Sequence, residues 1–198
     1  MTNTAPLILG STSPYRRALL ERLGLPFTVA APGVDEFPRP GEPPHGLAAR
    51  LAGHKAEAVA RLHPTAWVIG SDQVAALDDE VLSKPGNVDT ACQQLAMCSG
   101  RMVTFYTAVR LLQFGTGRQE SHVDTTRVKF RVLQDAEIVR YVERDQPLDC
   151  AGSFRSEGLG IALFERLETD DPTALVGLPL IWLSAALRHA GLDPLGAR

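Results

Sequence analysis

The sequence predicts an α/β fold with a mixed central sheet, because short apolar runs typical of strands alternate with amphipathic segments typical of helices. The chain opens with a strand at Leu7–Leu9, a helix that starts at Ser13-Pro14 and a second strand at 27–30, in β-α-β order. Later, residues 127–132 alternate polar and apolar side chains, as a half-buried antiparallel strand does, and we expect them to pair with a strand at 102–112.

Length and composition indicate a single globular domain over 1–198, which could have two lobes. Of the 198 residues, 44% are hydrophobic and 22% are charged, which is enough for one sizeable core. The formal net charge of -3 argues against a long nucleic acid held by bulk electrostatics. The three cysteines show no CxxC or Cys/His spacing, which disfavours a disulfide framework or a zinc site. No signal peptide or membrane span is recognisable, so we expect a cytoplasmic protein without membrane contact.

In the first quarter of the chain, loops and helices follow from turn residues and apolar spacing. The first helix is expected to end at Gly24, because glycine is the usual residue just past a helix end. The stretch Pro32–Pro44 is rich in Pro, Gly and acidic residues and reads as a loop that could lie over a site. A second helix is predicted over Leu47–Leu62, and Lys55 falls on its apolar stripe. A charged side chain on a buried face is unusual and requires an explanation.

The next segment predicts a carboxylate at the end of a buried strand. Trp67–Gly70 is a continuous apolar run, and Asp72 follows it, where open α/β sheets place ligands. Val74–Leu82 resembles a hairpin, and a helix should run through Leu95 and close at Gly100.

The second half predicts two more helices and one more strand. A short helix is expected around Ala136–Val142, followed by a Gly- and Ser-rich stretch from Cys150 to Gly160. A strand at Ile161–Phe164 and a final helix at Pro179–Ala190 complete the chain.

The junction between the first strand and the first helix is suited to binding phosphate. A helix N-terminus presents free N–H groups and the positive end of the helix dipole, Ser11 and Ser13 add hydroxyl groups, and Arg16 adds charge. Taken alone, the same pattern equally fits a Ser-capped surface helix with solvated arginines. Neither a Walker loop nor a dinucleotide-binding fingerprint occurs in the sequence.

A polyphosphate site needs further cations, and a carboxylate that holds a divalent metal or takes a proton from water. Lys55 and Lys84 are the candidate cations. The candidate carboxylates are Asp72, Glu36 and Glu157. The sequence fits equally well an alternative in which Glu36 and Glu157 are solvent-exposed loop residues without a role in the site. The five histidines form no HxxxH pattern and no GxSxG elbow is present, which disfavours zinc and serine hydrolases.

Six motifs, taken in order, resemble those of the Maf family of nucleotide pyrophosphatases over roughly Leu7–Leu192. They are Ser11-Thr12-Ser13-Pro14-Tyr15-Arg16-Arg17, Val34-Asp35-Glu36, Lys55-Ala56, Gly70-Ser71-Asp72-Gln73, Ser83-Lys84-Pro85-Gly86 and Gly152-Ser153-Phe154-Arg155-Ser156-Glu157-Gly158. The resemblance implies an elongated, two-lobed, inosine-triphosphatase-like α/β fold with the active site in a cleft. It also implies a nucleoside triphosphate as substrate and allows a homodimer, since family members are often dimers.

Within the family, the chain resembles the branch that hydrolyses 7-methyl-GTP. Gln73 completes a Ser-Asp-Gln sequence where the dTTP/UTP branch typically has Ala-Asp-Thr, and Tyr15 and Glu157 also match this branch. An aromatic face and a carboxylate suit the positive charge of a methylated guanine. Two residues depart from the usual pattern, Gly10 in place of alanine and Tyr15 in place of tryptophan. A dTTP/UTP pyrophosphatase and a non-catalytic nucleotide-binding regulator of division remain alternatives.

In the mechanism that this resemblance implies, water attacks the α-phosphorus and pyrophosphate leaves, with Asp72 as general base. Glu36 and Asp72 would bind a divalent metal, Mg²⁺ or Mn²⁺. The residues that would hold the phosphates are Ser11, Ser13, Arg16, Lys55 and Lys84.

Overall fold

The computed structural model describes residues 5–196, so the two ends of the predicted 1–198 domain, 1–4 and 197–198, lie outside it. Within this range seven strands form one mixed sheet, which confirms the predicted fold class. The strands are β1 (Leu7–Leu9), β2 (Thr28–Val29), β3 (Trp67–Leu77), β4 (Glu80–Leu82), β5 (Met102–Gln113), β6 (Arg118–Phe130) and β7 (Phe164–Glu168).

Five α-helices connect and cover the strands in the described part of the chain. They are α1 (Pro14–Glu21), α2 (Pro44–Leu62), α3 (Val88–Cys98), α4 (Asp135–Asp145) and α5 (Leu180–His189). Between residues 5 and 196, each helix is too short or too polar to cross a membrane.

The strands lie side by side in the order β2-β1-β3-β5-β6-β7, and β4 pairs with β3 outside this path. β1 is parallel to both β2 and β3, since α1 and α2 return the chain to the same end of the sheet. All other pairs are antiparallel, and the hairpin of β5 and β6 is the longest of them. Its first strand pairs with the predicted segment 127–132 as far as Lys129, as the sequence indicated.

Strand β3 has a gap along one of its edges. On that edge β1 pairs only with Trp67–Ile69, and β4 pairs only with Ala75–Leu77. On the other edge β5 pairs with β3 from Val68 to Leu77 without interruption. Among the described strands, residues 70–74 therefore have a neighbour on one side alone, and the gap opens between the end of β1 and the start of β4.

Side chains of β3 alternate between two covered faces of the sheet. Val68 packs in an apolar cluster with Ala56 and Val59 of α2. The next residue, Ile69, belongs to a different cluster, which includes Leu183 of α5. This period of two is the usual pattern of a strand that is buried on both faces.

Helix α2 packs unusually close to β3 at Gly70. A Cβ atom on Gly70 would lie 2.4 Å from the carbonyl oxygen of Ala52 and 2.4 Å from the amide nitrogen of Ala56. Both of these atoms belong to the helix backbone, which cannot rotate out of the way as a side chain can. Only glycine therefore permits this separation between helix and strand.

One predicted strand is wrong, and so is one residue of a predicted apolar stripe. Residues Leu159–Leu163 form a 3-10 helix, and the last strand begins only at Phe164. The strand is displaced because Phe130, at the end of β6, pairs with Phe164 across an irregularity in the register. The predicted apolar stripe of α2 also fails at Leu62, whose side chain is exposed at the end of the helix.

Substitution Gly70→Ala should lower the free energy of unfolding by about 2 kcal/mol or more, because the added methyl group forces α2 away from β3. Gly46→Ala, in the first turns of the same helix, is the matched control. Its Cβ would meet only Pro43, at 3.4 Å, so a change within about 1 kcal/mol is expected. Chemical denaturation of both variants measures the difference. Equal stability of the two would contradict the close packing at Gly70.

Candidate active site

A cleft of about 600 Å³ opens at the gap in β3, and all ten of the site residues predicted from the sequence line it. They are Ser11, Ser13, Tyr15, Arg16, Glu36, Lys55, Asp72, Gln73, Lys84 and Glu157. They come from the segment after β1, the first turn of α1, the loop before α2, α2 itself, β3, the segment after β4, and the stretch before β7. The structure thus brings together residues that are far apart in the sequence, while their individual roles stay predictions.

The segment from Gly10 to Pro14 turns the chain from β1 into α1 and forms one wall of the cleft. Ser13 caps the helix, since its Oγ accepts a hydrogen bond of 3.4 Å from the amide of Arg16, and Pro14 takes the first helical position. The buried Oγ of Ser11 accepts a hydrogen bond of 3.2 Å from the amide of Ser13. Arg17, by contrast, is exposed and pairs with Glu21 away from the cleft.

Asp72 does not stand at the end of a strand, as the sequence suggested. β3 continues to Leu77 because β5 pairs with it along this whole length. Asp72 instead lies in the middle of β3, beside the gap that follows the end of β1. The position still resembles a strand end in one respect: the neighbouring parallel strand has stopped, so the side chain borders a crevice.

Lys55 is the centre of the charged groups in the cleft. Its Nζ donates to Asp72 Oδ1 at 2.6 Å and lies 2.7 Å from Glu36 Oε1. Lys55 and Asp72 are both nearly fully buried, whereas Glu36 is half exposed. These pairings explain why a lysine occupies the apolar stripe of α2: a buried ammonium group requires carboxylate partners.

Glu36 and Asp72 are the pair of carboxylates that could hold a divalent metal. Among residues 5–196, no group of three or more His, Cys, Asp or Glu side chains forms a complete metal site. Mg²⁺, however, is usually bound by one or two carboxylates together with water and substrate phosphates. Lys55 contacts Oε1 of Glu36 and Oδ1 of Asp72, and each carboxylate has a second oxygen. The donor set therefore fits a metal that arrives with a polyphosphate.

The loop before α2 is held over the cleft by two ion pairs. One is the contact between Glu36 and Lys55, and the other joins Arg50 to Glu42 through two short contacts of 2.6 and 2.7 Å. The Arg50 guanidinium also donates to the carbonyl of Phe37 at 3.0 Å. Its hydrogen bonds lower the pKa of Glu42 to about 2. The loop that the sequence placed over a site is thus anchored at two points, Glu36 and Glu42, to the same helix.

Arg16 has a defined orientation in the cleft. Its Nε donates to the carbonyl oxygen of Gly177 at 2.9 Å, and its Nη1 lies 3.5 Å from Ser11 Oγ. Burial lowers the pKa of the guanidinium, and the nearby carboxylates of Asp72 and Glu36 oppose this effect. The side chain remains a cation, because the normal pKa of arginine is far above neutrality.

Tyr15 borders a second group of polar side chains, contributed by residues 149–157. Its hydroxyl donates to Asp149 Oδ2 at 3.5 Å, and burial, followed by Cys150 and Asp149, raises its pKa. Glu157 is exposed on the same stretch, where its carboxylate accepts a hydrogen bond from Ser156. The Tyr15 ring thus stands next to the Asp149 carboxylate, an arrangement that suits a cationic base.

Burial and the neighbouring Asp149 raise the pKa of the Cys150 thiol to about 12. The thiolate, and not the thiol, is the nucleophilic form of cysteine. Cys150 therefore lines the cleft as a neutral thiol.

Several residues that line the cleft were not identified as site candidates from the sequence. Asp149 precedes the Gly- and Ser-rich motif, Arg155 lies within it, and the segment 175–177 precedes α5. Arg155 could have been found as the cation of that motif. The segment 175–177 carries no charged side chain and contributes through its backbone carbonyls, so no residue type marks it.

The chain was compared with known proteins. It matches the family described as "Maf-like protein" over residues 6–190. A protein of Aromatoleum aromaticum named "7-methyl-GTP pyrophosphatase" is 58% identical over 186 residues, or 94% of this chain and 96% of the relative. Proteins of the same name from Cupriavidus metallidurans and Alkalilimnicola ehrlichii are 54% and 52% identical and cover 99% and 100% of this chain, with 99% of each relative aligned.

We expect iodoacetamide to alkylate Cys150 in the folded protein at least about a hundredfold more slowly than in the unfolded chain at mildly alkaline pH, because the raised pKa removes most of the thiolate. Mass spectrometry of tryptic peptides measures the rate. The chain unfolded in guanidinium chloride is the control for intrinsic reactivity. Fast modification of Cys150 under native conditions would show that its thiol is activated and would contradict the neutral state described here.

Proposed function

Since the chain belongs to the Maf family, as its motifs predicted, we propose that it is a nucleoside-triphosphate pyrophosphatase that acts on 7-methyl-GTP. The reaction adds water to the α-phosphorus, breaks the bond between this phosphorus and the bridging oxygen, and releases 7-methyl-GMP and pyrophosphate. Relatives that are more than 50% identical over nearly the whole chain carry the name of this activity, which supports the proposal.

The observation that carries the proposal is one cleft that combines the buried carboxylate of Asp72 with cationic side chains, three of which are candidates for binding phosphate. Asp72 would accept a proton from the attacking water, as a general base must. Arg16, Lys55 and Lys84 would offset charge on the phosphates, and the hydroxyl groups of the segment after β1 would bind phosphate oxygens.

The charges that line the cleft also favour a cationic base. Residues 149–157 contribute Asp149 and Glu157 against the single cation Arg155, so this side of the cleft is acidic. A methyl group on guanine N7 places a positive charge on the base, which Tyr15 can face with its ring. Ordinary GTP lacks this charge and would gain less from the same groups.

We also propose that a divalent metal is required. Four cations and four carboxylates line the cleft, namely Arg16, Lys55, Lys84 and Arg155 with Glu36, Asp72, Asp149 and Glu157. Their formal charges cancel, so the side chains alone do not neutralise a triphosphate. Glu36 and Asp72 would hold Mg²⁺ or Mn²⁺ against the phosphates, and the metal supplies the missing positive charge.

Three further parts of the proposal concern the location and the partners of the protein. A cytoplasmic location is supported by Cys92, Cys98 and Cys150, all of which are free thiols, as a reducing compartment maintains them. The family resemblance allows a homodimer, and the mass of the protein in solution would test it. A nucleic acid polymer is not expected as a partner, given the net charge of -3.

A panel of nucleotides should show the highest kcat/KM for 7-methyl-GTP, and Asp72→Asn should lower kcat by about a thousandfold or more, because the general base is lost. Pyrophosphate release is the measurement. Asp79→Asn, in the exposed turn between β3 and β4, is the matched control and should keep full activity.

Equal turnover of GTP and 7-methyl-GTP would contradict the proposed specificity. Preference for dTTP or UTP would place the chain in the dTTP/UTP branch of the family. Nucleotide binding without any release of pyrophosphate from wild type would instead identify a non-catalytic regulator.

Removal of metal with EDTA should abolish turnover, and Mg²⁺ or Mn²⁺ should restore it, since the cleft lacks the charge to bind a triphosphate productively. Glu36→Gln should raise the metal concentration for half-maximal activity by about tenfold. Glu80→Gln, an exposed carboxylate on β4, is the control and should leave the metal requirement unchanged. Full activity of wild type in EDTA would refute the metal.

A further inference from the structure

Two walls of the cleft carry groups that suit opposite ends of a nucleotide. Lys84, a candidate phosphate cation, lies in the segment 83–86 after β4, which we call the phosphate wall. Asp149 and Glu157, which suit a cationic base, lie in the stretch 149–157 before β7, which we call the base wall. A nucleotide bound as proposed contacts both walls, so the spacing between them affects how well it binds.

One buried side chain of α3 bonds to both walls. The Nε2 of Gln94 donates to the carbonyl oxygen of Ser83 at 3.0 Å, and its Oε1 accepts a hydrogen bond of 2.5 Å from Ser153 Oγ. Gln94 is 8% exposed and Ser153 is fully buried, so the bond between these two side chains is shielded from water. Both ends of a single carboxamide thus join the residue before Lys84 to the middle of the base wall.

The base wall bends at the point where Gln94 holds it. Gly152 and Ser153 have φ angles of 74° and 62°, so a residue other than glycine occupies the left-handed region. Such a backbone costs energy of its own and persists where neighbouring contacts fix it. The hydrogen bond from Ser153 Oγ to Gln94 is a contact of this kind.

Two further hydrogen bonds hold the walls by other routes. The amide of Gly86 donates to the carbonyl of Leu148 at 3.0 Å, just before the base wall begins. The amide of Arg155 donates to the hydroxyl of Tyr141 at 3.1 Å, which ties the later part of the base wall to α4. Each wall would therefore remain formed without Gln94, while the spacing between the two would be less well defined.

We propose that Gln94 is a positioning residue that fixes the base wall relative to Lys84, so that both ends of one nucleotide are held at once. The inference rests on the proposed function and concerns the same cleft. When one end of a linked ligand binds, a rigid spacing presents the other end to its site at high effective concentration. Loosening the spacing removes this gain without weakening either wall by itself.

The test compares a whole nucleotide with its two parts. Gln94→Met removes both hydrogen bonds at similar volume, and it should weaken binding of 7-methyl-GTP and lower kcat/KM by about tenfold. Inorganic tripolyphosphate and 7-methylguanosine should each bind this variant as tightly as wild type. Calorimetry measures the three affinities, with Asp72→Asn as a shared background that prevents turnover. Gln93→Met, an exposed neighbour on α3, is the matched control and should change none of them.

Ser153→Gly is a second variant that removes the same bond from the other side. Glycine adopts a φ of 62° without strain, so the bend stays accessible while the hydroxyl is lost. This variant should also weaken binding of 7-methyl-GTP alone. The double variant should lose no more affinity than Gln94→Met does, because the two changes share one hydrogen bond. Should Gln94→Met fail to fold, Ser153→Gly decides the question by itself.

Three outcomes would overturn the inference. Loss of 7-methylguanosine affinity by the same factor as for 7-methyl-GTP would show that Gln94 shapes the base wall alone. The same loss for tripolyphosphate would show that it acts on the phosphate wall alone. Unchanged affinity for 7-methyl-GTP in both variants would show that the spacing does not depend on Gln94. If wild type releases no pyrophosphate from any nucleotide, the proposed function fails, while the three affinities still decide whether Gln94 acts as proposed.

Discussion

The open stretch of β3 at residues 70–74 is the constraint on which the rest of the site depends. Gly70 lets α2 approach until Lys55 reaches Asp72, because no side chain separates helix and strand. On the opposite face of the same stretch, Ser71 and Gln73 bind the backbone that precedes α5. The missing neighbour on one edge leaves room for the segments after β1 and β4 to reach the same cleft. A single strand thus divides the site into a charged face and a backbone-holding face.

The cleft has a local arrangement of charges that the net charge of the chain does not reveal. A protein with a net charge of -3 gains nothing from long-range attraction to a triphosphate, so affinity must come from local contacts. Lys55 is already balanced by two carboxylates, and a polyphosphate would have to compete with them for it. A metal bound to those carboxylates would resolve the competition, since it converts acidic side chains into part of a cationic surface. The acidic stretch at 149–157 can then remain available for a positively charged base.

The sequence was sufficient to predict most helices, the β-α-β opening and ten residues that all line the cleft, because local capping, apolar spacing and family motifs carry that information. It failed where pairing between distant strands decides the outcome. Asp72 was placed at a strand end because its apolar run stops at Gly70, but β5 extends the strand to Leu77. The last strand was placed too early because its start depends on a register irregularity opposite Phe130. The contribution of Gly177 could not be predicted, since a backbone carbonyl has no signature in the sequence.

The long ladder of paired residues between β3 and β5 fixes the register that places Asp72 on one face of the sheet and Gln73 on the other. Because side chains alternate along a strand, a slip of one residue would turn Asp72 away from Lys55 and bring Gln73 to the charged face. Ten consecutive pairs, from Val68 with Leu112 to Leu77 with Val103, oppose that slip. Apolar side chains on both sides add to the cost, since they would have to exchange faces as well. The strands β1 and β4 each pair with only three residues of β3, too few to fix its register. Because the gap lies on their edge, the continuous ladder with β5 on the other edge must fix it.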